Sequence, residues 1–245
     1  MRNIKLSIQY DGSRYKGWQR LGNEDNTIQG KIEKVLKELT NEEIELVASG
    51  RTDAGVHAYN QVTNFHTNSK VSNKELLNYC YKYLPSDIVI KTSEDVSKDF
   101  HSRYLVKEKI YIYKIYNDTF HDVFNKRYYY HVPEQLNIEI MKNAANVFIG
   151  KHDFKSFTAL KSKKRSTIRE IYSININKKG SEIEIIINGN GFLHKMVRIL
   201  VGTLIQAGLG KITIEEILEI MDKKDRSFAS DTAPAHGLFL KDIIY

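Results

Sequence analysis

Asp53 stands between Arg51 and a small-residue turn, Ala54-Gly55, within the run ASGRTDAGVHA from Ala48 to Ala58. An aspartate close before glycine is ordinary turn chemistry, because its carboxylate can cap backbone N–H groups. Arg51 and His57 add charges that a turn does not need. Gly50 and Gly55 permit close approach of another backbone or of a ligand. A carboxylate held by a neighbouring arginine stays ionised, and so can serve as a nucleophile or a base.

A second group lies in FLHKMVRILVGTL. Leu193, Met196, Val197, Leu200, Val201 and Leu204 cover most of a helix, which predicts that the helix is largely buried. His194, Arg198 and Gly202 fall at i, i+4 and i+8, on one narrow stripe. A mostly buried arginine needs an anion, and Asp53 is a candidate. A wet edge carrying Lys195 and Arg198 fits the same pattern. Tyr111 and Tyr113 share one strand face, flanked by Lys107, Lys109 and Lys114. Aromatic rings with nearby cations suit base stacking, and equally suit a packed core. Arg14, Lys16 and Arg20 in DGSRYKGWQR, and Lys161, Lys163, Lys164 and Arg165 in LKSKKRS, are loop cations fit for phosphate contacts or for water.

Other chemistries find little support. The eight histidines show no H-x-x-x-H spacing, and Cys80 is the only cysteine, so neither a thiolate zinc cluster nor an intrachain disulfide is expected. There is no P-loop and no G-x-S-x-G. The 37 lysines and arginines exceed the 30 acids by seven, and 15 tyrosines accompany them. That balance suits a polyanion with stackable bases, although a Lys-, Ile- and Asn-rich proteome would produce the same excess. No apolar run is long enough to span a bilayer, and MRNIKLSIQY lacks a signal-peptide core, so a cytoplasmic protein is expected.

The elements that must position these residues follow from periodicity. IKLSIQYDG alternates as a strand. TIQGKIEKVLKEL is a helix that Thr27 or Asn26 can cap. Ile44 to Ser49 alternates as a strand before the Asp53 loop, and NQVTNFHT alternates after it. NKELLNYCYKYLP is a helix and DIVIKTS a strand. KIYIYKIYN and YYYHV are strands, and NIEIMKNAANVFIG is a helix closing at Gly150. IREIYSININKKGSEIEIIING is a hairpin turning at NKKG. FLHKMVRILVGTLIQAG and TIEEILEIMD are helices, and GLFLKDIIY is a closing strand. Hairpins among helices predict an α+β fold. The two halves are candidates for copies of one unit, with a boundary near residues 104–108.

The run GRTDAGVHA resembles the tRNA pseudouridine synthase A family. YDGSRYKGWQRL resembles the family's first loop, and DFHSRYLVKEKIYIYKIYN its F-H-x-R followed by Y-x-Y. FLHKMVRILVGTL resembles its M-V-R-x-x-V-G helix, and TAPAHGLFL its C-terminal signature. These segments keep the family's order and span nearly the whole chain. The resemblance implies two α/β lobes, ferredoxin-like or RRM-like halves. They share a curved, mainly antiparallel sheet with the site in the central cleft. Residues 1–105 would carry the Asp loop, and residues 106–245 the Tyr strand and the Arg helix.

By position, Asp53 would be the catalytic aspartate and Arg198 would pair with it. Tyr111 would stack on the target base, with proton transfer as a further role. Arg51 would help open the helix and guide the flipped nucleotide. His57 and the loop cations Arg14, Lys16, Arg20, Lys163, Lys164 and Arg165 complete the expected substrate-binding set. The resemblance further implies a homodimer that needs no metal or organic cofactor. Its substrate would be tRNA, at uridines 38, 39 or 40 of the anticodon stem-loop. Two rivals are a non-catalytic RNA-binding protein of the same fold and a metal-dependent hydrolase built on Asp53, His57 and His66. The first leaves Asp53 unexplained, and the second lacks ligand spacing.

Overall fold

The computed structural model describes residues 1–22, 26–160 and 166–245. Lys161, Lys163, Lys164 and Arg165 lie outside the described residues. The chain forms two compact units, Met1–Lys107 with Phe239–Tyr245, and Glu108–Leu238. Among the described residues, no helix is long and apolar enough to cross a membrane.

The first unit opens with β1 (Arg2–Tyr10), which buries Ile4, Leu6, Ile8 and Tyr10. Helix α1 (Ile28–Thr40) starts where the Thr27 hydroxyl accepts the Gly30 N–H, and ends at Asn41 in the left-handed region. The alternating run before the Asp53 loop yields only a two-residue strand, β2 (Val47–Ala48). The Leu46 N–H donates to the buried Glu33 carboxylate of α1 at 2.9 Å instead of joining a ladder. Then follow β3 (His57–Thr67), α2 (Asn73–Tyr83) and β4 (Ile88–Val96). Ser72 and Glu75 form a reciprocal capping box at the start of α2. β1 lies between β3 and β4, antiparallel to both, and β2 pairs antiparallel with β3.

The second unit contains β5 (Glu108–Tyr116), β6 (Tyr130–His131), α3 (Ile138–Asn146), β7 (Gly150–Asp153), β8 (Ile168–Lys179), β9 (Glu182–Gly189), α4 (Met196–Gly208) and α5 (Ile214–Lys223). Gly150 opens β7, with φ at 102°, where the sequence pattern ends α3. β9 runs antiparallel between β5 and β8, and β7 pairs antiparallel with β8. Residues directly opposite in a ladder share a face. Tyr111, Tyr113 and Ile115 stand opposite Ile187, Ile185 and Ile183, so they belong to the apolar face of β5. Met141, Ala144 and Phe148, with Leu200 and Leu204 of α4, are fully buried in this unit. Each such large apolar side chain contributes about 1.5–3 kcal/mol.

Strand–helix–hairpin–helix thus recurs: β1, α1, β2–β3, α2, and again β5, α3, β8–β9, α4. Both units are α+β with mainly antiparallel sheets, and in the second β6 pairs in parallel with β5. The chain closes with β10 (Leu238–Ile244). Residues Phe239–Tyr245, expected with the second lobe, cluster instead with the first unit. Phe239 and Leu240 pair in parallel with His57 and Ala58 of β3, and the Phe239 ring stacks on His57 at 4.5 Å and on Tyr59 at 4.9 Å.

Candidate active site

The Asp53 loop leaves β2 and enters β3, and hydrogen bonds fix both of its ends. On entry, the Ser49 hydroxyl donates to Gln61 at 2.6 Å, and the Gln61 amide donates to the Gly50 carbonyl at 2.8 Å. At the tip, the Val56 N–H donates to the Asp53 carbonyl at 3.2 Å, and Gly55 takes φ of 78°. Asp53 is half-buried, and Arg51 and Ala54 are exposed. The loop therefore presents an acid and a cation from a closed turn.

The segment after β1 braces this loop. The Trp18 N–H donates to the Thr52 carbonyl at 3.1 Å, and the Tyr10 and Thr52 hydroxyls are hydrogen-bonded at 2.7 Å. The Gly12 N–H donates to His57 Nδ1 at 3.1 Å, and Asp11 Oδ1 lies 3.0 Å from the same nitrogen. Two glycines make the approach possible. A Cβ on Gly12 would stand 2.0 Å from the Val56 carbonyl oxygen, and one on Gly17 would stand 2.9 Å from the Thr52 oxygen. His57, expected at the substrate, is 1% exposed and packs beneath the loop.

The loop cations of this unit differ from one another. Arg14 is 70% exposed and forms an ion pair with Asp87 at 2.6 Å. That pairing raises the guanidinium pKa, first through the hydrogen bond. Tyr15 donates to the other Asp87 oxygen at 2.6 Å, and burial holds its phenol well above the ordinary range. Arg20 is 58% exposed and lies 3.2 Å from the buried Glu33 carboxylate. Lys16 is exposed.

In the second unit, α4 begins at Met196, after Lys195 in the left-handed region. His194 therefore precedes the helix, and the expected three-residue stripe reduces to Arg198 and Gly202. Arg198 is half-buried and its Nε donates to the Ala233 carbonyl at 2.7 Å. The Ala233 N–H returns a bond to the Arg198 carbonyl at 3.1 Å. The close approach allowed by Gly202 is used by the same segment: a Cβ there would meet the Asp231 oxygen at 2.1 Å. Residues 231–233 thus brace Arg198, a long-range contact that no local pattern announces. Tyr111 is 8% exposed and meets the Phe192 ring edge-on at 5.3 Å. Tyr113 is fully buried, donates to the Pro234 carbonyl at 2.8 Å, and has its phenol pushed up by burial. Tyr113 is a core residue, although strand periodicity alone treats both tyrosines alike. Among the described residues, no group of three or more His, Cys, Asp or Glu is placed to hold a metal ion.

A family profile described as tRNA pseudouridine synthase matches residues 6–105 and 144–245. The chain belongs to the tRNA pseudouridine synthase family. It is 53% identical to tRNA pseudouridine synthase A 1 of Clostridium tetani (strain Massachusetts / E88), over 100% of both chains. It is 48% identical to tRNA pseudouridine synthase A 2 of Bacillus cereus (strain ZK / E33L), over 99% of both, and 43% identical to tRNA pseudouridine synthase A of Acetivibrio thermocellus, over 100% of both. Arg51, Asp53 and Arg198 fall within the segments that the family profile matches, and Tyr111 falls between them. Sequence reasoning missed Tyr10, Trp18, Thr52 and Gln61. Their signal was faint, since a buried tyrosine or threonine beside a turn carries no motif by itself.

Proposed function

We propose that this protein isomerises uridine to pseudouridine in tRNA, at positions 38, 39 or 40 of the anticodon stem-loop, with Asp53 as the catalytic carboxylate. One observation carries the reading. A half-buried acid beside an exposed arginine sits on a braced turn, in a chain that belongs throughout its length to this family.

The reaction breaks N1–C1′, turns the uracil and forms C5–C1′. C5 loses a proton and N1 gains one, so no water or cosubstrate is consumed. The target base must leave the stack to be reached. An ionised carboxylate can attack C1′, attack C6 or take a sugar proton. By its place in the family motif, Arg198 is assigned the guanidinium that keeps such a carboxylate charged, and Tyr111 the aromatic face for the flipped base. Arg51, exposed beside the acid, guides the nucleotide. Lys16, Arg14 and Arg20 contribute phosphate contacts, the two arginines after exchanging Asp87 and Glu33 for phosphate. The enzyme acts as a homodimer in the cytoplasm.

The test is to map pseudouridine by carbodiimide labelling in a full tRNA pool incubated with the pure protein. New sites at 38–40 are expected with the native chain and none with Asp53→Asn. No new site anywhere would overturn the reading.

A further inference from the structure

Residues on both sides of Asp53 hold its loop in place. Thr52, immediately before it, is 7% exposed, and Tyr10, its hydroxyl partner, is 3% exposed. The 2.7 Å bond between them is therefore buried. On the other side of the acid, Val56 closes the turn onto the Asp53 carbonyl, and His57 is fastened to the Gly12 N–H. Fastenings on both sides join the loop to the segment Tyr10–Trp18: Tyr10 and Trp18 hold Thr52 before the acid, and Asp11 and Gly12 hold His57 after it.

We propose that Tyr10, acting through Thr52, is a positioning residue for the Asp53 carboxylate in uridine isomerisation. The proposal rests on the reading of Asp53 as the catalytic acid. Neither residue needs to touch RNA. On the far side, His57 Nδ1 stands 3.1 Å from the Gly12 nitrogen and 3.0 Å from Asp11 Oδ1. The Tyr10–Thr52 bond cannot be replaced by water without opening the core, since both side chains are enclosed. Loss of either hydroxyl removes one of the ties on Thr52, whose carbonyl still accepts from the Trp18 N–H, and loosens the residue before Asp53. An acid displaced by about an ångström from its reacting atom loses on the order of 100-fold in rate. Substrate affinity, set by phosphate contacts elsewhere, does not depend on this bond.

Tyr10→Phe keeps the ring and removes the hydroxyl. Thr52→Val keeps the shape and removes the partner. Thr52→Ser keeps the partner. Single-turnover rates and KM for one tRNA are measured for the three, with melting temperatures by circular dichroism. Asp53→Asn serves as the arm that tests the underlying reading. The expected result is a 10- to 100-fold fall in rate for Tyr10→Phe and Thr52→Val, on the order of a misplaced catalytic group. KM should be unchanged, and Thr52→Ser should recover most of the rate. Unaltered rates in Tyr10→Phe and Thr52→Val would overturn the proposal. So would losses that track melting temperature, or that fall equally on KM, since those mark a merely structural bond. Should Tyr10→Phe not fold, the Thr52→Val and Thr52→Ser comparison decides alone. An active Asp53→Asn would remove the catalytic reading itself, whereas an inactive Asp53→Asn beside a fully active Tyr10→Phe removes only the positioning role.

Discussion

Gly12→Ala adds one methyl group at the tightest point against the Asp53 loop. The new Cβ would stand 2.0 Å from the Val56 carbonyl oxygen and 3.2 Å from the Val56 nitrogen, while real Cβ contacts essentially never fall below 3.0 Å. Backbone must therefore give way by about 1 Å, the difference between those two distances. Gly12 does not have positive φ, so room is its whole requirement. The moving carbonyl belongs to the residue whose N–H closes the turn on Asp53. A displacement of that size at a catalytic group costs on the order of 100-fold, or about 2.7 kcal/mol in the barrier. Overpacking costs the fold roughly 1–3 kcal/mol, which lowers the melting temperature by roughly 2–12 °C. Single-turnover conversion of one tRNA at 25 °C, with circular dichroism to confirm folding, measures both. Ser13→Ala, exposed next door, is the control with unchanged turnover. A folded Gly12→Ala protein with native turnover would refute the claim that this contact holds the loop.

Three further outcomes are expected. Tyr111→Phe, which keeps the aromatic face, should stay near the native rate if stacking is the role, while Tyr111→Leu loses about 1–3 kcal/mol, roughly 5- to 150-fold; equal and severe losses in both would assign the proton step to the hydroxyl. Binding of tRNA should weaken with salt, log K falling roughly 0.7–0.9 per phosphate contact per decade, and a flat response would exclude a charge-driven interface. Hydrogen bonds from Arg2 and Asn73 hold the Asp95 carboxylate at about 2, below the usual 3.8. The depressed value means that this stabilisation is present above pH 3.8 and is lost as pH falls toward 2. Asp95→Asn should therefore flatten that part of the stability–pH curve in denaturant titrations, by a small amount because the pair is solvent-screened.

Periodicity alone was enough to mark most strands and helices, though not the short β7, because alternation and 3.6-residue spacing are written in consecutive residues. Ile4, Leu6 and Ile8 of β1 and the apolar girdle of α4 are legible in that way, as is Thr27 at the start of α1. The acid of the candidate site was legible too, since Arg51, Asp53 and Gly55 are neighbours in the chain. Tertiary structure decided what lies far apart in sequence. Tyr10 meets Thr52 across 42 residues, and Arg198 meets Ala233 across 35. The alternating run from Ile44 to Ser49 shortened to two strand residues because a buried Glu33, from the preceding helix, took the Leu46 N–H. His57, polar and beside the acid, reads as a ligand contact until its burial under Phe239 and its bond to Gly12 are seen. Tyr111 and Tyr113 are alike as letters two residues apart; packing against Phe192 in one case and a hydrogen bond to Pro234 in the other separates them. Local patterns encode which face of an element is buried, but the partner on that face is chosen only when distant segments pack.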